Sequence, residues 1–335
     1  MREPPFWWRQ RGPAAAMLAP FAAVYGTVAS HRLRRNGMSA GVPVVCVGNP
    51  TVGGAGKTPA ALTVARILAA AGETPVFLTR GYGGRFAGPV RVDPLQHRAT
   101  DVGDEPLLLA RAHATIVARD RAKGAQAAIA AGATFIVMDD GFQNPALTKD
   151  FSVLVVDGKR GIGNGRVIPA GPLRAPLGAQ LDRAQALIVV GEGAGTGVMD
   201  EARKRALPVF GARLAPDAAF IASLAGKRVL AFAGIGDPEK FFATLRASGA
   251  MVAAARGFHD HHRYTPADAQ ALFAEAEREG LSLVTTEKDL ARMQGDDDVV
   301  ELAGRSRALP VTLMFDDDAG FRGLLRGHVA RARAR

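Results

Sequence analysis

The chain has 335 residues, enough for two domains or one large one, and its 48% hydrophobic content indicates a sizeable core. Its single cysteine, Cys46, excludes a disulfide framework and fits a reducing compartment. The net charge of +10 leaves nucleic acid, an anionic membrane surface and a phosphorylated substrate open as partners. Aromatic residues make up only 6% of the chain, so no platform for stacking nucleic-acid bases is evident.

The N-terminal segment from Gly12 to Ser30 has no charged residue and is flanked by arginines on both sides. A transmembrane helix needs about 20 apolar residues, and this run is shorter and is interrupted by Pro20 and Gly26. We therefore predict that residues 4–35 form a helix that lies in or against an anionic membrane surface. A helix packed on the protein core is the alternative.

Apolar side chains of this predicted helix fall near helical spacing on one face, and two tryptophans precede them. The apolar residues are Met17, Phe21, Val24, Tyr25 and Val28, and the tryptophans are Trp7 and Trp8. We expect both tryptophans to act as interfacial anchors.

A glycine-rich segment follows the first predicted strand, residues 42–47, and precedes a predicted helix, residues 59–68. It consists of Thr51, Val52, Gly53, Gly54, Ala55, Gly56, Lys57 and Thr58. Strand, glycine loop and helix are typical of a nucleotide-phosphate site, where Lys57 reaches the β and γ phosphates and Thr58 holds Mg²⁺. Thr51 replaces the first glycine of the usual pattern, and a tight turn is the alternative. Use of ATP here argues against export through an N-terminal signal peptide.

Two further segments carry candidate site residues. A predicted strand, residues 75–79, runs into a loop with Arg80 and Tyr82 between glycines, at the sheet end where ligands collect in α/β folds. This loop suits an anionic ligand, and a flexible turn is the alternative. Asp104 precedes a predicted helix, residues 107–112. It is either a helix cap or a carboxylate base or metal ligand.

An apolar strand, residues 134–138, ends in Asp139 and Asp140. Such a strand downstream of a phosphate loop is the Walker B pattern, in which a carboxylate supports Mg²⁺; a solvated turn is the alternative. A long Gly/Pro-rich connection at residues 158–174 ends in Arg174. Arg174 is a candidate charge clamp on a transferring phosphoryl group, or else a solvated surface residue.

Strands and helices continue to alternate in the second half. The predicted strands are 228–232, 251–255, 281–284 and 310–314, and the predicted helices are 237–248, 266–279 and 322–335. Alternation of this kind predicts a mostly parallel, doubly wound α/β architecture in both halves. Three histidines lie within residues 259–262; no cysteine lies near them, and an acid–base role competes with zinc binding.

Taken in order, these motifs resemble the tetraacyldisaccharide 4′-kinase family, the lipid A 4′-kinases of Gram-negative bacteria. The motifs are Val47–Asn49 with the glycine loop and Pro59, Arg80–Gly83, Gly103–Pro106, Asp139–Gln143, Pro169–Arg174, Asp260–His261 and Thr286–Asp289. The resemblance covers nearly the whole chain. The missing first glycine of the loop is itself typical of that family.

This resemblance implies a fold and a reaction. It implies an N-terminal interfacial helix (1–36), a phosphate-loop core domain (37–220) and a smaller α/β domain (221–335) that closes over the site. The expected reaction is transfer of the ATP γ-phosphate, with Mg²⁺, to the 4′-hydroxyl of a tetraacylated glucosamine disaccharide 1-phosphate. The expected place is the cytoplasmic face of the inner membrane, where the helix docks and helps admit the acyl chains. No obligate protein partner is evident.

The resemblance also implies roles for individual residues. Asp104 is expected to be the base, with His261 from the second domain as its partner. Arg174 is expected to neutralise developing charge, and Asp139 or Asp140 to hold Mg²⁺ with Thr58. Glu105, Arg80 and Tyr82 are expected near the substrate.

Two other functions compete with this interpretation. The glycine loop also fits a regulatory ATPase with a deviant Walker A motif at the membrane, although Val52 stands near the position where such ATPases carry a lysine. A nucleic-acid-binding protein is suggested by positive charge alone, and we do not expect it.

Overall fold

The computed structural model describes residues 3–9, 12–193 and 197–334. Its strands are β1 (Val44–Gly48), β2 (Pro75–Thr79), β3 (Val90–Arg91), β4 (Thr115–Val117), β5 (Phe135–Asp139), β6 (Phe151–Asp157), β7 (Ala186–Val190), β8 (Val209–Pro216), β9 (Arg228–Ala233), β10 (Met251–Gly257), β11 (Ser282–Thr286), β12 (Arg307–Leu309) and β13 (Val311–Phe315). A 3-10 helix spans Pro5–Trp8.

The α-helices alternate with these strands. They are α1 (Pro13–Met17), α2 (Ala19–Arg34), α3 (Lys57–Ala70), α4 (Ala99–Val102), α5 (Asp104–Ala112), α6 (Arg121–Ala130), α7 (Leu177–Leu181), α8 (Val198–Arg203), α9 (Ala218–Ala222), α10 (Pro238–Ala247), α11 (Pro266–Glu279), α12 (Glu287–Met293), α13 (Val300–Arg305) and α14 (Asp318–Arg333).

The larger sheet places the glycine loop at its centre. Among the described residues, its strand order is β13-β8-β7-β6-β1-β5-β2-β4-β3, and β1 pairs in parallel with both β5 and β6. Val47 at the end of β1 is in register with Asp139 at the end of β5. The glycine loop and the acidic strand end therefore meet at one edge of the sheet, as expected where a ligand site forms in an α/β fold.

Side chains of β1 alternate between two cores. Val45 and Val47 pack on the face covered by α3, whereas Val44 and Cys46 pack on the opposite face. A strand that is buried on both faces needs apolar residues at every position. For this reason polar and apolar residues do not alternate in the sequence of β1. The prediction of an α/β fold with a mostly parallel sheet is confirmed.

A smaller sheet forms from the second half of the chain. Its order within the described residues is β10-β9-β11-β12, and all its strand pairs are parallel. Val229 and Ala231 face one core of this unit, and Leu230 and Phe232 face the other. This sheet brings the histidine-containing turn and α12 to the same end, because both follow the carboxyl ends of its strands.

The C-terminal elements differ from the predicted domain division. The boundary at residue 221 assigned the last strand and helix to the smaller domain, but β13 pairs antiparallel with β8 of the larger sheet. Phe315 stacks on Phe321 of α14 at a centroid distance of 4.1 Å, and both join the core that contains Phe151 and Phe210. That assignment was wrong because apolar burial, not chain order, decides which sheet a returning strand joins.

The N-terminal segment also differs from the single helix predicted over residues 4–35. A proline lies in the first turn of both α1 and α2, where proline is well tolerated in a helix. The short 3-10 helix lies before them. Residues 10 and 11 of the predicted helix lie outside the described residues. Trp7 is buried and donates its Nε1–H to Pro169 O at 3.0 Å, so it anchors the segment to the protein rather than to a lipid interface.

The predicted apolar face is exposed on α1 and α2. Phe21 and Val24 remain 67% and 69% exposed, and Met17 and Val28 accompany them. Within residues 3–9, 12–193 and 197–334, no helix is both long and apolar enough to cross a bilayer.

The C-terminal packing predicts a selective loss of stability. Phe321 is fully buried, so Phe321→Ala should cost about 3–5 kcal/mol through lost burial and a residual cavity. Met314 of the neighbouring strand β13 is 45% exposed, and Met314→Ala is the matched control. Thermal unfolding of both variants measures the difference. Equal melting temperatures for the two variants would contradict the placement of α14 in the large core.

Candidate active site

The glycine loop joins β1 to α3 and adopts conformations that need glycine. Gly53 and Gly56 have φ of +98° and +88°, in the left-handed region. Asn49 is buried and donates its Nδ2–H to Gly53 O at 3.0 Å, and Lys57 Nζ lies 3.4 Å from the same oxygen. Thr58 is buried in the first turn of α3. The loop therefore presents its lysine and hydroxyl at one helix N-terminus, the arrangement that binds phosphate.

The Gly/Pro-rich connection braces this loop from the other side. Val52 N donates to Pro172 O at 2.9 Å, and Arg174 N donates to Pro50 O at 2.8 Å. The Arg174 guanidinium adds a bond from Nε to Thr51 O at 3.0 Å. Residues 158–174 are longer than a plain connection requires, and their extra length lets them support the glycine loop from a second side.

The N-terminal segment covers one side of the loop. Glu3 accepts a hydrogen bond from Trp8 Nε1 at 2.9 Å and one from Arg160 Nη1 at 3.3 Å. A Cβ on Gly53 would lie only 2.3 Å from Glu3 Oε1, so a side chain there would displace it. Partial burial raises the pKa of Glu3. Sequence patterns gave no signal for this contact.

The two aspartates that end β5 have opposite environments. Asp140 accepts two hydrogen bonds from Arg174, at 2.6 and 3.1 Å, and lies 3.9 Å from Lys57 Nζ. Burial opposes ionisation of Asp140, but Lys57 and Arg174 outweigh it and lower the pKa to about 2. Asp140 is thus a paired carboxylate, and Arg174 is held by it.

Asp139 is buried, and within the described part of the chain neither of its carboxylate oxygens has a hydrogen-bond partner. Burial, together with the nearby charges of Glu105 and Asp140, raises its pKa to about 7. A buried, unpartnered carboxylate supplies oxygen ligands that suit a hard cation such as Mg²⁺. Asp139 therefore fits a metal ligand better than Asp140 does. Among the residues that the structure describes, this site included, no group of three or more His, Cys, Asp or Glu side chains is placed to hold a metal ion.

Asp104 and His261 meet at the junction of the two sheets. Asp104 is the first residue of α5 and is buried. Its Oδ2 atom lies 3.3 Å from Nδ1 of His261. Burial disfavours the carboxylate, but the hydrogen bond to His261 and the charge of Arg292 hold the pKa of Asp104 well below its usual range. The hydrogen bond to Asp104 in turn raises the pKa of His261. The structure brings together the two residues that were predicted as a pair.

Helix α12 adds two cations that sequence reasoning did not single out. Arg292 Nη2 donates to Asp104 Oδ2 at 2.6 Å, and Lys288 Nζ lies 2.5 Å from Glu105 Oε1. Positions 288 and 292 are one helical turn apart and share a face of the helix. The sequence did contain a pattern that could have indicated them. Helix α12 begins inside the Thr286–Asp289 motif, at the carboxyl end of a parallel strand where ligand sites form.

The loop after β2 completes the surroundings of His261. The Tyr82 ring lies 5.4 Å from the His261 ring, and Tyr82 is 65% exposed. A Cβ on Gly84 would lie 2.6 Å from the Val102 carbonyl carbon, so this loop packs backbone to backbone against the start of α5. Arg80 is exposed beside it. The glycines of this loop therefore serve close packing that brings Tyr82 to the acid–base pair.

A glycine loop with an acidic neighbouring strand, facing a carboxylate of the larger unit that is paired with an imidazole of the smaller one, defines an α/β protein whose site suits a phosphate-bearing ligand. The family model described as tetraacyldisaccharide-1-P 4′-kinase matches residues 14–330. The chain belongs to this family, and its reaction is phosphorylation of the 4′ position of a tetraacyldisaccharide 1-phosphate.

Named relatives agree over full length. The tetraacyldisaccharide 4′-kinase of Bradyrhizobium diazoefficiens is 56% identical, over 100% of this chain and 98% of the relative. That of Rhodopseudomonas palustris strain BisA53 is 55% identical over the same shares. Among solved structures, LpxK from Aquifex aeolicus in complex with ATP superposes with a TM-score of 0.72 at 26% identity, covering 94% of this chain and 99% of that chain.

The environment of Asp139 predicts that Asp139→Asn stabilises the metal-free protein by an amount that depends on pH. Because the folded-state pKa of about 7 lies above the unfolded value, the folded carboxyl keeps a proton that the unfolded chain releases. The ionised carboxylate therefore destabilises the fold increasingly as pH rises from near 4 towards 7. Melting temperatures in a chelator between pH 5 and 8 should show an advantage of the variant that widens with pH. An advantage that stays constant over this pH range would contradict this account.

Proposed function

We propose that Asp104, paired with His261, accepts the proton of the 4′-hydroxyl while the γ-phosphoryl group of ATP is transferred to that oxygen. The observation that carries this proposal is the 3.3 Å contact between a buried carboxylate and an imidazole from the other sheet. In this reaction the hydroxyl O–H bond breaks and its proton passes to Asp104. A new P–O bond forms at the 4′ oxygen while the β–γ phosphoanhydride bond breaks, and ADP leaves.

The donor side of the site is proposed to bind ATP through the glycine loop. Loop amides of Thr51–Thr58 and the Lys57 ammonium would hold the β and γ phosphates, whose negative charge suits the N-terminus of α3. Asp139 and Thr58 would hold Mg²⁺, which supplies charge neutralisation of the phosphate oxygens when it is bound. Asp140 would keep Lys57 and Arg174 in place through its ion pairs.

The acceptor side needs a base that is ionised before the sugar arrives. The low pKa of Asp104 meets that need at neutral pH, because the carboxylate is free of its proton. Phosphoryl transfer through a loose transition state requires little prior deprotonation of the nucleophile, so a weakly basic carboxylate that accepts the proton late is sufficient. His261 would orient the carboxylate and stabilise its charge until the alcohol attacks.

The remaining predicted residues are proposed to contact the substrate. Glu105 follows Asp104 in the chain and pairs with Lys288. The Tyr82 ring packs against the ring of His261. Arg80 is exposed next to Tyr82 and is suited to an anionic group of the disaccharide 1-phosphate. Arg174, held in place by Asp140, would neutralise charge that develops on the phosphoryl group.

The junction of the two sheets explains how water would be excluded. Asp104 belongs to the larger unit and His261 to the smaller one, so the pair forms only when the two units approach. We propose that the smaller unit closes over bound substrates, which assembles the acid–base pair and limits transfer to water.

Membrane docking through α1 and α2 is proposed for access to an acylated substrate. The exposed stripe of Phe21, Val24 and their neighbours is apolar, and the last turn of α2 carries His31, Arg32 and Arg34. An apolar face flanked by cations is the pattern of a helix that lies in an anionic interface. The expected surface is the cytoplasmic face of the inner membrane.

The reaction is tested with ATP labelled in the γ-phosphate, Mg²⁺ and the tetraacyldisaccharide 1-phosphate. We expect the label on the lipid at a rate that depends on the lipid. Label found only in inorganic phosphate would instead support the regulatory ATPase.

The proposed role of Asp104 predicts that its substitution lowers turnover and leaves nucleotide binding intact. Asp104→Asn should lower kcat by about 10²–10⁴-fold, the usual contribution of a general base, while ATP affinity changes little. Lipid-kinase kinetics and equilibrium ATP binding give the two readouts, with exposed Asp298→Asn as the control. Near-normal turnover in Asp104→Asn would remove it as the base.

The docking face predicts a change in membrane partitioning alone. Phe21→Ser with Val24→Ser should weaken binding to anionic vesicles by at least about tenfold, because each buried apolar side chain contributes roughly 1.5–3 kcal/mol. The matched control is Leu95→Ser with Val300→Ser, which alters exposed apolar residues elsewhere. Cosedimentation measures partitioning, and ATP binding should stay unchanged. Equal partitioning of both double variants would refute docking through α2.

A further inference from the structure

Arg292 connects the acid–base pair to the core of the smaller unit. Its Nη2 donates to Asp104 Oδ2 at 2.6 Å, and its Nη1 lies 2.8 Å from Asp289 Oδ1. The side chain of Arg292 is only 9% exposed, and that of Asp104 5%. A buried guanidinium with two carboxylate partners is fixed in direction, because its planar fork allows few alternative geometries.

The same guanidinium also fixes the backbone that carries His261. Arg292 Nη1 donates to Gly234 O and to His262 O, both at 3.2 Å. Gly234 O accepts the His261 backbone N–H as well, at 3.0 Å. His261 has φ of +55°, a left-handed conformation that is unfavourable for a non-glycine residue and persists only where neighbours hold it.

Asp289 supplies a rigid anchor for Arg292. It is fully buried at the start of α12 and accepts hydrogen bonds from Gly234 N at 3.0 Å, Tyr264 Oη at 3.0 Å and Thr286 Oγ1 at 2.6 Å. Breaking such a pair leaves an uncompensated buried charge, so the carboxylate and guanidinium hold each other. Charges alternate from Asp289 through Arg292 to Asp104.

We propose that Arg292 is a positioning residue that orients both members of the acid–base pair, Asp104 through its carboxylate and His261 through its backbone. This inference rests on the proposed role of Asp104 as the base. Arg292 acts through the two residues that it aligns. The Thr286–Asp289 motif thereby gains a function, because it builds the anchor from which Arg292 reaches the larger unit.

Kinetics of Arg292→Gln test this role. We expect kcat to fall by about 100-fold, the typical cost of a misplaced catalytic group, with the KM for ATP changed by less than about threefold. Arg292→Lys keeps the charge without the fork and should recover about tenfold of that loss. Arg256→Gln, which breaks a partly exposed pair with Glu275 on the same unit, is the control and should keep wild-type kcat.

A double-variant cycle separates positioning from a general structural effect. In an Asp104→Asn background, Arg292→Gln should lower the remaining turnover by no more than about threefold, because coupled sites are not additive. An undiminished 100-fold loss in that background would overturn the proposal, and so would wild-type kcat in Arg292→Gln. If instead Asp104→Asn alone keeps normal turnover, the proposed base is wrong.

The pH profile adds a readout that loss of packing would not move. Asp104 is faced by His261 from the turn after β10, by Arg292 and Lys288 from α12, and by Glu105 from α5. Asp260 lies 4.0 Å from the other ring nitrogen of His261. Removal of the nearest permanent cation favours the protonated carboxyl, so kcat/KM of Arg292→Gln should fall at a higher pH than in the wild type on the acid side. The Lys variant should shift less. Identical acid limbs in wild type and Arg292→Gln would overturn the proposal.

Discussion

The candidate active site depends on one carboxylate oxygen that two nitrogen donors share. Asp104 Oδ2 lies 2.6 Å from Arg292 Nη2 and 3.3 Å from His261 Nδ1, and both partners come from the smaller unit. A buried carboxylate is costly unless it is paired, so the larger unit alone leaves Asp104 in an unfavourable state. The contact that we propose makes Asp104 a usable base is therefore also a contact that holds the two units together.

On the donor side, ion pairing divides two adjacent aspartates between different tasks. Arg174 and Lys57 neutralise Asp140, whereas Asp139 is buried without a protein partner in the described residues. The two carboxylates therefore have pKa values displaced in opposite directions, to about 2 and about 7. Separation of this kind is typical of functional sites, where one group is structural and the other awaits a ligand.

Much of this arrangement was predictable from local sequence patterns. The glycine loop, the acidic end of β5 and the alternation of strands and helices are local features, and family resemblance paired Asp104 with His261. The contacts that depend on tertiary packing were not predictable in this way. Trp7 is buried rather than interfacial, β13 and α14 return to the larger sheet, and Arg292 reaches across from a helix 188 residues away in sequence. No periodicity or spacing encodes such long-range pairs.

The central claim is that the acceptor hydroxyl meets Asp104 where the two units join. A crystal structure with Mg²⁺, a non-hydrolysable ATP analogue and the tetraacyldisaccharide 1-phosphate tests it most directly. The account predicts the 4′ oxygen within about 2.6–3.2 Å of an Asp104 carboxylate oxygen and in line with the γ-phosphorus, with His261 still paired to Asp104. A 4′ oxygen placed against a different acid, with Asp104 bound only to Arg292 and His261, would contradict it.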